Sequence, residues 1–174
     1  MRDPEEYLEI VDDTGRVTGI APRSRLHGNP SLIHRVVHVL VFHREGALLL
    51  QKRSLSKDVA PGMWDTSVGG HILPGEDAMS AAKREMQEEL GITGCEPAYL
   101  YSYIHRGPYE TELVTTYHCI SSGDIRFCRD EIDEVRFWSF NEIQQAMGKN
   151  ILSGHFEGEF RMYLRHYTLR SAGP

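Results

Sequence analysis

The sequence predicts an α/β protein, and three observations carry that prediction. Residues 77–91 read as one complete helix: Asp77 is a good N-cap, Gly91 a good C-terminal stop, and neither proline nor glycine lies between them. Ala78, Ala82, Met86 and Leu90 fall four apart on it and form a stripe that faces the core. Arg35 to Phe42 is a β-branched run suited to a central strand. Around these two, short extended runs are separated by turns rich in glycine, proline and aspartate.

The remaining elements follow in order. Tyr7 to Val11 and Arg16 to Ile20 flank Asp12-Asp13-Thr14-Gly15 and make an N-terminal β-hairpin, with about the first five residues frayed. Pro22 to Pro30 reads as loop. Ala47 to Arg53 is a strand after the turn Arg44-Glu45-Gly46, Ser54 to Gly62 a loop, and Trp64 to Gly69 one strand running into Gly70. Ala98 to His105 and Glu112 to Ile120 form a hairpin about Arg106-Gly107-Pro108. Val135 to Phe140 is a strand, Asn141 caps a helix through Met147, and Phe160 to Arg170 is an amphipathic helix before a frayed tail.

A chain of 174 residues fits one domain with its own core. The net charge of −6 argues against a nucleic-acid polymer as partner. No apolar run approaches the length of a membrane span, and Met1 is followed by Asp3, Glu5 and Glu6 rather than by a signal peptide. Cys95, Cys119 and Cys128 have neither metal-type nor disulfide spacing and read as reduced thiols of a cytoplasmic protein.

Glu85, Glu88 and Glu89 are spaced i, i+3, i+4, so their carboxylates crowd beside the apolar stripe. Like charges so placed repel, and a divalent cation such as magnesium turns the repulsion into binding. Arg84, four residues before Glu88, can hold one carboxylate in place. Taken alone, Glu85 to Leu90 reads as a solvated acidic helix face. The wider spacing is more specific. Gly70, five residues, Glu76, seven residues, Arg84-Glu85, apolar Met86, one residue, Glu88-Glu89, one residue, Gly91 and apolar Ile92 match the Nudix box at every position. The sequence resembles the Nudix hydrolase superfamily. That resemblance implies an α/β/α sandwich with a mixed sheet, and Mg2+ or Mn2+ held by the box glutamates. It also implies cleavage of a nucleoside diphosphate linked to another moiety. On this reading residues 1–174 form a single Nudix domain: hairpin and loop over 1–30, core over 31–150, C-terminal helix over 151–174.

A second constellation comprises His27, His34 and His71 with Glu110 and Glu112, which alternate along one strand and can share a face. Spacing alone does not single it out, and His38, His43, His118, His155 and His166 read as ordinary strand or surface histidines. The segments 32–42, 51–57 and 61–71 resemble type I isopentenyl diphosphate isomerase, itself of Nudix fold. The resemblance implies a second divalent metal, such as Zn2+, on His27, His34, His71, Glu110 and Glu112. It also puts diphosphate-binding cations at Arg23, Arg53 and Lys57, a magnesium-linked glutamate at Glu89 and an active-site tyrosine near Tyr103. Two departures matter. The isomerase's catalytic cysteine falls on Gly69, and the box those isomerases degrade is intact here. The chain therefore resembles an isomerase-like branch of Nudix hydrolases.

The expected reaction is metal-assisted hydrolysis of a diphosphate bridge in a small molecule, with Glu88 or Glu89 as alternative general bases. Arg53 and Lys57 read equally as phosphate ligands or ordinary loop cations, and Trp64 and Tyr103 as stacking platforms or core aromatics. Two other functions stay open: an allylic diphosphate isomerase, disfavoured by Gly69, and a non-catalytic diphosphate-binding module, which would not need the full box.

Overall fold

The computed structural model describes residues 5–121 and 123–171. The expected frayed ends fall, apart from Glu5 and Ser171, outside that range. Strands β1 (Tyr7–Val11) and β2 (Val17–Pro22) form the N-terminal hairpin, followed by a single helical turn, α1 (Arg23–Leu26). The long strand β3 (Ile33–Phe42) and β4 (Leu48–Arg53) lead to two short strands, β5 (Trp64–Asp65) and β6 (Val68–His71). Helix α2 (Ala78–Leu90) comes next, then β7 (Ala98–Arg106), β8 (Thr111–Ile120) and β9 (Ile132–Trp138). Helices α3 (Phe140–Ala146) and α4 (Gly154–Ser171) close the chain.

One strand organises the mixed sheet. β3 pairs in parallel with β8 along all ten residues, from Ile33↔Thr111 to Phe42↔Ile120. Its other edge is shared in turn by β1 at Val11↔Ile33, β6 over Val36 to Val39, and β4 at Phe42↔Leu48. Because β3 and β4 meet only at that last pair, they splay apart, and the chain segments between them line a cleft. Alternation then sorts β3 into two cores. Val37, Val39 and Val41 pack with Ala81, Ala82, Met86 and Leu90 of α2 on one face. Leu40 and Phe42 pack with Ile143 of α3 and Phe156 and Phe160 of α4 on the other. The result is the expected helix–sheet–helix layering.

Helix α2 follows its sequence signature: the Asp77 side chain accepts from Ser80 N at 3.0 Å, and Gly91 closes it at φ 65°. Other boundaries differ from expectation. Residues 22–30 are not all loop, because Leu26 buries itself against Leu8 and Ala21 and draws 23–26 into a turn of helix. The strand expected at 64–69 is two strands. Asp65 caps Thr66 N at 2.8 Å while Ser67 Oγ accepts from Val41 N at 2.9 Å, so the backbone changes partner from β4 to β3. Ser139, not Asn141, caps α3, through a capping box with Glu142. Helix α4 begins at Gly154 rather than Phe160: Ser153 Oγ accepts from Phe156 N at 3.0 Å, and Phe156 and Phe160, four apart, are both fully buried. Among the described residues no helix is long and apolar enough to cross a membrane, and Cys95, Cys119 and Cys128 are free thiols.

One buried ion pair ties α4 to the sheet. The carboxylate of Glu159, 1% exposed, accepts from Thr116 Oγ1 and faces His38 Nδ1, each at 2.8 Å. Burial pulls the His38 imidazole down, but Glu159 outweighs it and lifts the group to about 9. A His pKa raised on folding stabilises the protein fully below the unfolded value near 6.5 and ceases to do so as pH rises through about 9. Glu159→Gln is therefore expected to be less stable than the parent, with a gap that is largest near pH 6 and shrinks between pH 7 and 9.5. Urea unfolding at these pH values checks this; a gap that does not change with pH contradicts the charge pairing.

Candidate active site

A cavity of about 1100 Å³ opens where β3 and β4 splay, and α2 supplies one of its walls. Glu85, Glu88 and Glu89 all line it. Glu85 lies directly beneath Gly70, where a Cβ would land on its carboxylate, so the close approach of strand and helix requires glycine there. Glu89 is 6% exposed and accepts from Gln51 Nε2 at 3.1 Å and from Gly69 N at 3.3 Å. Glu88 is the exposed member of the three. Burial, reinforced by Glu85, pushes the Glu89 carboxyl up to about 8. Burial also raises Glu85, against the pull of Arg84.

Arg84 is the hub of this wall. Its guanidinium grips Glu76 twice, at 3.0 and 2.9 Å, and donates to the His71 carbonyl at 2.9 Å. The remaining nitrogen, Nη1, reaches Glu85 Oε1 at 2.6 Å and Glu88 Oε2 at 3.1 Å. Glu76 also accepts from Leu73 N at 3.0 Å and is held below the usual carboxylate range by Arg84. It positions Arg84 and does not line the cavity. Three of Arg84's five contacts thus lie away from the crowded carboxylates. The two made by Nη1 can be exchanged for a cation without freeing the side chain.

Across the cavity, His27, His34, His71, Glu110 and Glu112 come together. Nε2 of His27 lies 3.3 Å from Nε2 of His71 and 3.4 Å from Glu110 Oε2. Nε2 of His34 lies 3.9 Å from Glu110 Oε2 and from Glu112 Oε1. Ligand atoms of His27, His34 and His71 fall within 4.8 Å of one another, as do those of His34, Glu110 and Glu112. Glu110 sits in the turn just before β8 rather than on the strand, yet still reaches the cluster. Burial drives His34 down to about 3 and His27 to about 4, so both are neutral imidazoles with a free lone pair. Burial, with Glu110 beside it, lifts Glu112 to about 7. His71 keeps its outer nitrogen, Nδ1, on Glu6 at 2.9 Å, the outer support typical of a ligating histidine. His34 Nε2 and Glu110 Oε2 are buried without a hydrogen-bond partner. Orphaned buried donors and acceptors cost about 1–3 kcal/mol each, and a divalent ion among two carboxylates and three imidazoles would satisfy them.

The expected cations sit on the cavity lip, each half-compensated. Arg23 lies 3.8 Å from Asp58, Arg53 3.5 Å from Asp65, and Lys57 2.8 Å from Glu131. Trp64 packs edge-on to Trp138 in the apolar core, and Tyr103 lies under His155 with its hydroxyl 3.0 Å from Nε2. Neither lines the cavity. Three histidines of the cavity were not singled out by the sequence. His38, read as an ordinary strand histidine, turns its ring toward Gly69, where a Cβ would stand 3.3 Å from it. His155, an ordinary histidine by its sequence, and His105 stack in parallel at 3.7 Å beside Glu112. The hairpin register carried the signal for His105, which pairs with Glu112 across β7 and β8. His155 was hidden because α4 was expected to begin after it.

Residues 32–156 match the family model of the NUDIX domain. Among curated proteins, the isopentenyl-diphosphate Delta-isomerase of Streptomyces coelicolor is 41% identical over 175 residues, covering 95% of this chain and 89% of that one. An uncharacterized Nudix hydrolase of Pseudomonas aeruginosa is 34% identical over 132 residues, 76% of this chain and 78% of that one. Among solved structures, DR0079 from Deinococcus radiodurans superposes with a TM-score of 0.78 at 25% identity, covering 90% of this chain and 98% of that one. With the family model spanning most of the chain and the box glutamates gathered on one cavity wall, the chain belongs to the Nudix family as a Nudix-type hydrolase.

Proposed function

We propose that the protein is a divalent-metal-dependent hydrolase of a diphosphate bridge in a nucleoside diphosphate-linked or related small molecule, working in the cytoplasm. The observation that carries this is the set of carboxylates on α2, gathered around Arg84 and facing basic residues across one cavity. Glu85, Glu88 and Glu89 offer the hard oxygens that Mg2+ or Mn2+ prefers, and their crowding disfavours a metal-free cluster. When bound, such an ion acts as a Lewis acid on phosphoryl oxygens and makes a coordinated water a better nucleophile. Arg53 and Lys57, with Arg23, neutralise phosphate charge from the lip. Arg84 keeps Glu85 and Glu88 turned to the cavity. His27, His34, His71, Glu110 and Glu112 form a cage for a second divalent ion such as Zn2+. Its orphaned nitrogens and the Glu6–His71 support favour that reading.

The isomerase names among the relatives raise a second reading, and Gly69 weighs against it. A side chain at that position would press on His38, and none of the three cysteines lines the cavity. Moving a double bond needs two positioned acid–base groups, and no thiol is present to act as one.

Three outcomes are expected. Glu88→Gln and Glu89→Gln each keep the fold by circular dichroism but lower magnesium-dependent turnover at least about a hundredfold, as loss of a group stabilising transition-state charge does. A screen of nucleoside diphosphates, triphosphates, dinucleotides and isoprenyl diphosphates supplies the substrate; wild-type rates in both variants sink the assignment. Gly70→Ala pushes the Glu85 carboxylate out of its place, so magnesium affinity, read by calorimetry, falls while Arg84–Glu76 survives. Finally, isopentenyl diphosphate incubated in deuterated water with enzyme and metal gains no deuterium, as mass spectrometry will show.

A further inference from the structure

Glu112 has two sides. Its Oε1 faces the cage at His34, while its Oε2 lies 3.3 Å from Nδ1 of His155, at the start of α4. His105, opposite Glu112 in the β7–β8 register, lies against His155 with the rings 3.7 Å apart and 8° from parallel. One ligand atom from each of His105, Glu112 and His155 falls within 4.8 Å of the others, and all three residues line the cavity. We propose that His105, Glu112 and His155 form a further metal site, joined to the cage through Glu112 as a bridging carboxylate.

Two imidazoles and one carboxylate are a donor set for a borderline divalent ion such as zinc, cobalt or nickel. The outer support is present. The Tyr103 hydroxyl sits 3.0 Å from His155 Nε2, so that nitrogen is occupied and Nδ1 is left to face Glu112. Ligating histidines are held in this way by a partner on the other nitrogen, which fixes tautomer and ring angle. The three side chains also come from three different elements, β7, β8 and α4, so the packing of α4 on the sheet sets their separation. Parallel rings keep their lone pairs in separate planes, so an ion bound to both must first open the stack. The triad is therefore the weaker site and fills after the cage. The competing explanation is a polar wall in which His155 simply pairs with Glu112. That wall would take no metal.

The test uses the full chain, stripped with chelator and reloaded with Co2+, and does not depend on turnover. Anomalous scattering at the cobalt edge from loaded crystals is expected to give a peak bonded by His105, Glu112 and His155, separate from a peak in the cage. In solution, the double variant His105→Asn with His155→Phe is expected to retain one cobalt ion per chain fewer than the parent after gel filtration. Should the double variant fail to fold by circular dichroism, His105→Asn alone, at a half-buried position, is read for weaker binding of that ion. Equal cobalt content in parent and folded variant, or a filled cage beside an empty triad, overturns the proposal. A filled triad beside an empty cage overturns the shared bridge. The cage and triad peaks are seen separately, so failure of this site is distinct from failure of the cage reading or of the hydrolase reading.

Discussion

Bringing Glu85 and Glu89 together in a half-enclosed wall is the constraint on which the rest of this structure depends. Two neighbouring carboxylates withdrawn from water repel more strongly than on a solvated helix, and burial alone already raises both. The chain meets this with Arg84 at Glu85 and with Gln51 and the Gly69 amide at Glu89, rather than by exposing both acids. Arg84 is anchored outward on Glu76 and the His71 carbonyl, and only then turned toward Glu85 and Glu88. An arginine serves here where a lysine would not, because its planar fork makes five contacts in fixed directions from one stem. Its charge is held well above its ordinary range of stability by those partners, so it stays a cation throughout.

The placement of this wall comes from the sheet. A strand of ten residues has room for more than one neighbour on an edge, and β3 uses its edge for β1, β6 and β4 in succession. Each change of partner leaves a gap between strands. Gly69 and Gly70 lie within β6, paired with His38 and Val37 of β3. Their lack of side chains lets His38 approach from one face and Glu85 from the other. The same strand positions the cage: His34 and His38 lie on the α4 face, while Val37, Val39 and Val41 hold α2 on the opposite one. One alternation pattern thus feeds a hydrophobic core and a polar site.

Much of this was legible in the residues. Helix α2 could be read to its ends because its cap, its stop and its stripe are local signals. The strands of the sheet were legible as runs. Their order was not, since pairing β3 in parallel with β8 is a non-local choice that the residues of neither strand encode alone. The box spacing named Glu85, Glu88 and Glu89, and the geometry does bring them to one cavity wall. His155 and Glu159 were invisible for a different reason. Their neighbours are set by where α4 crosses the sheet, and α4 begins with Gly154 and carries Gly158, residues that weaken the helical signal in its first turns.

Gly69 also ties the cavity wall to the buried contacts behind it. Gly69 and Gly70 line the cavity from β6, so a side chain added at either would be met by the groups packed against that strand. With glycine, the space beside the strand belongs to His38, and His38 is fixed from behind by Glu159 and Thr116 on separate elements. A Cβ added at 69 would meet that ring at 3.3 Å, a tight contact that presses on the His38–Glu159 pair. The identity of residue 69 is therefore coupled to residues 38 and 159 through packing. A side chain at this position would press on the α4 contact as well as on the strand.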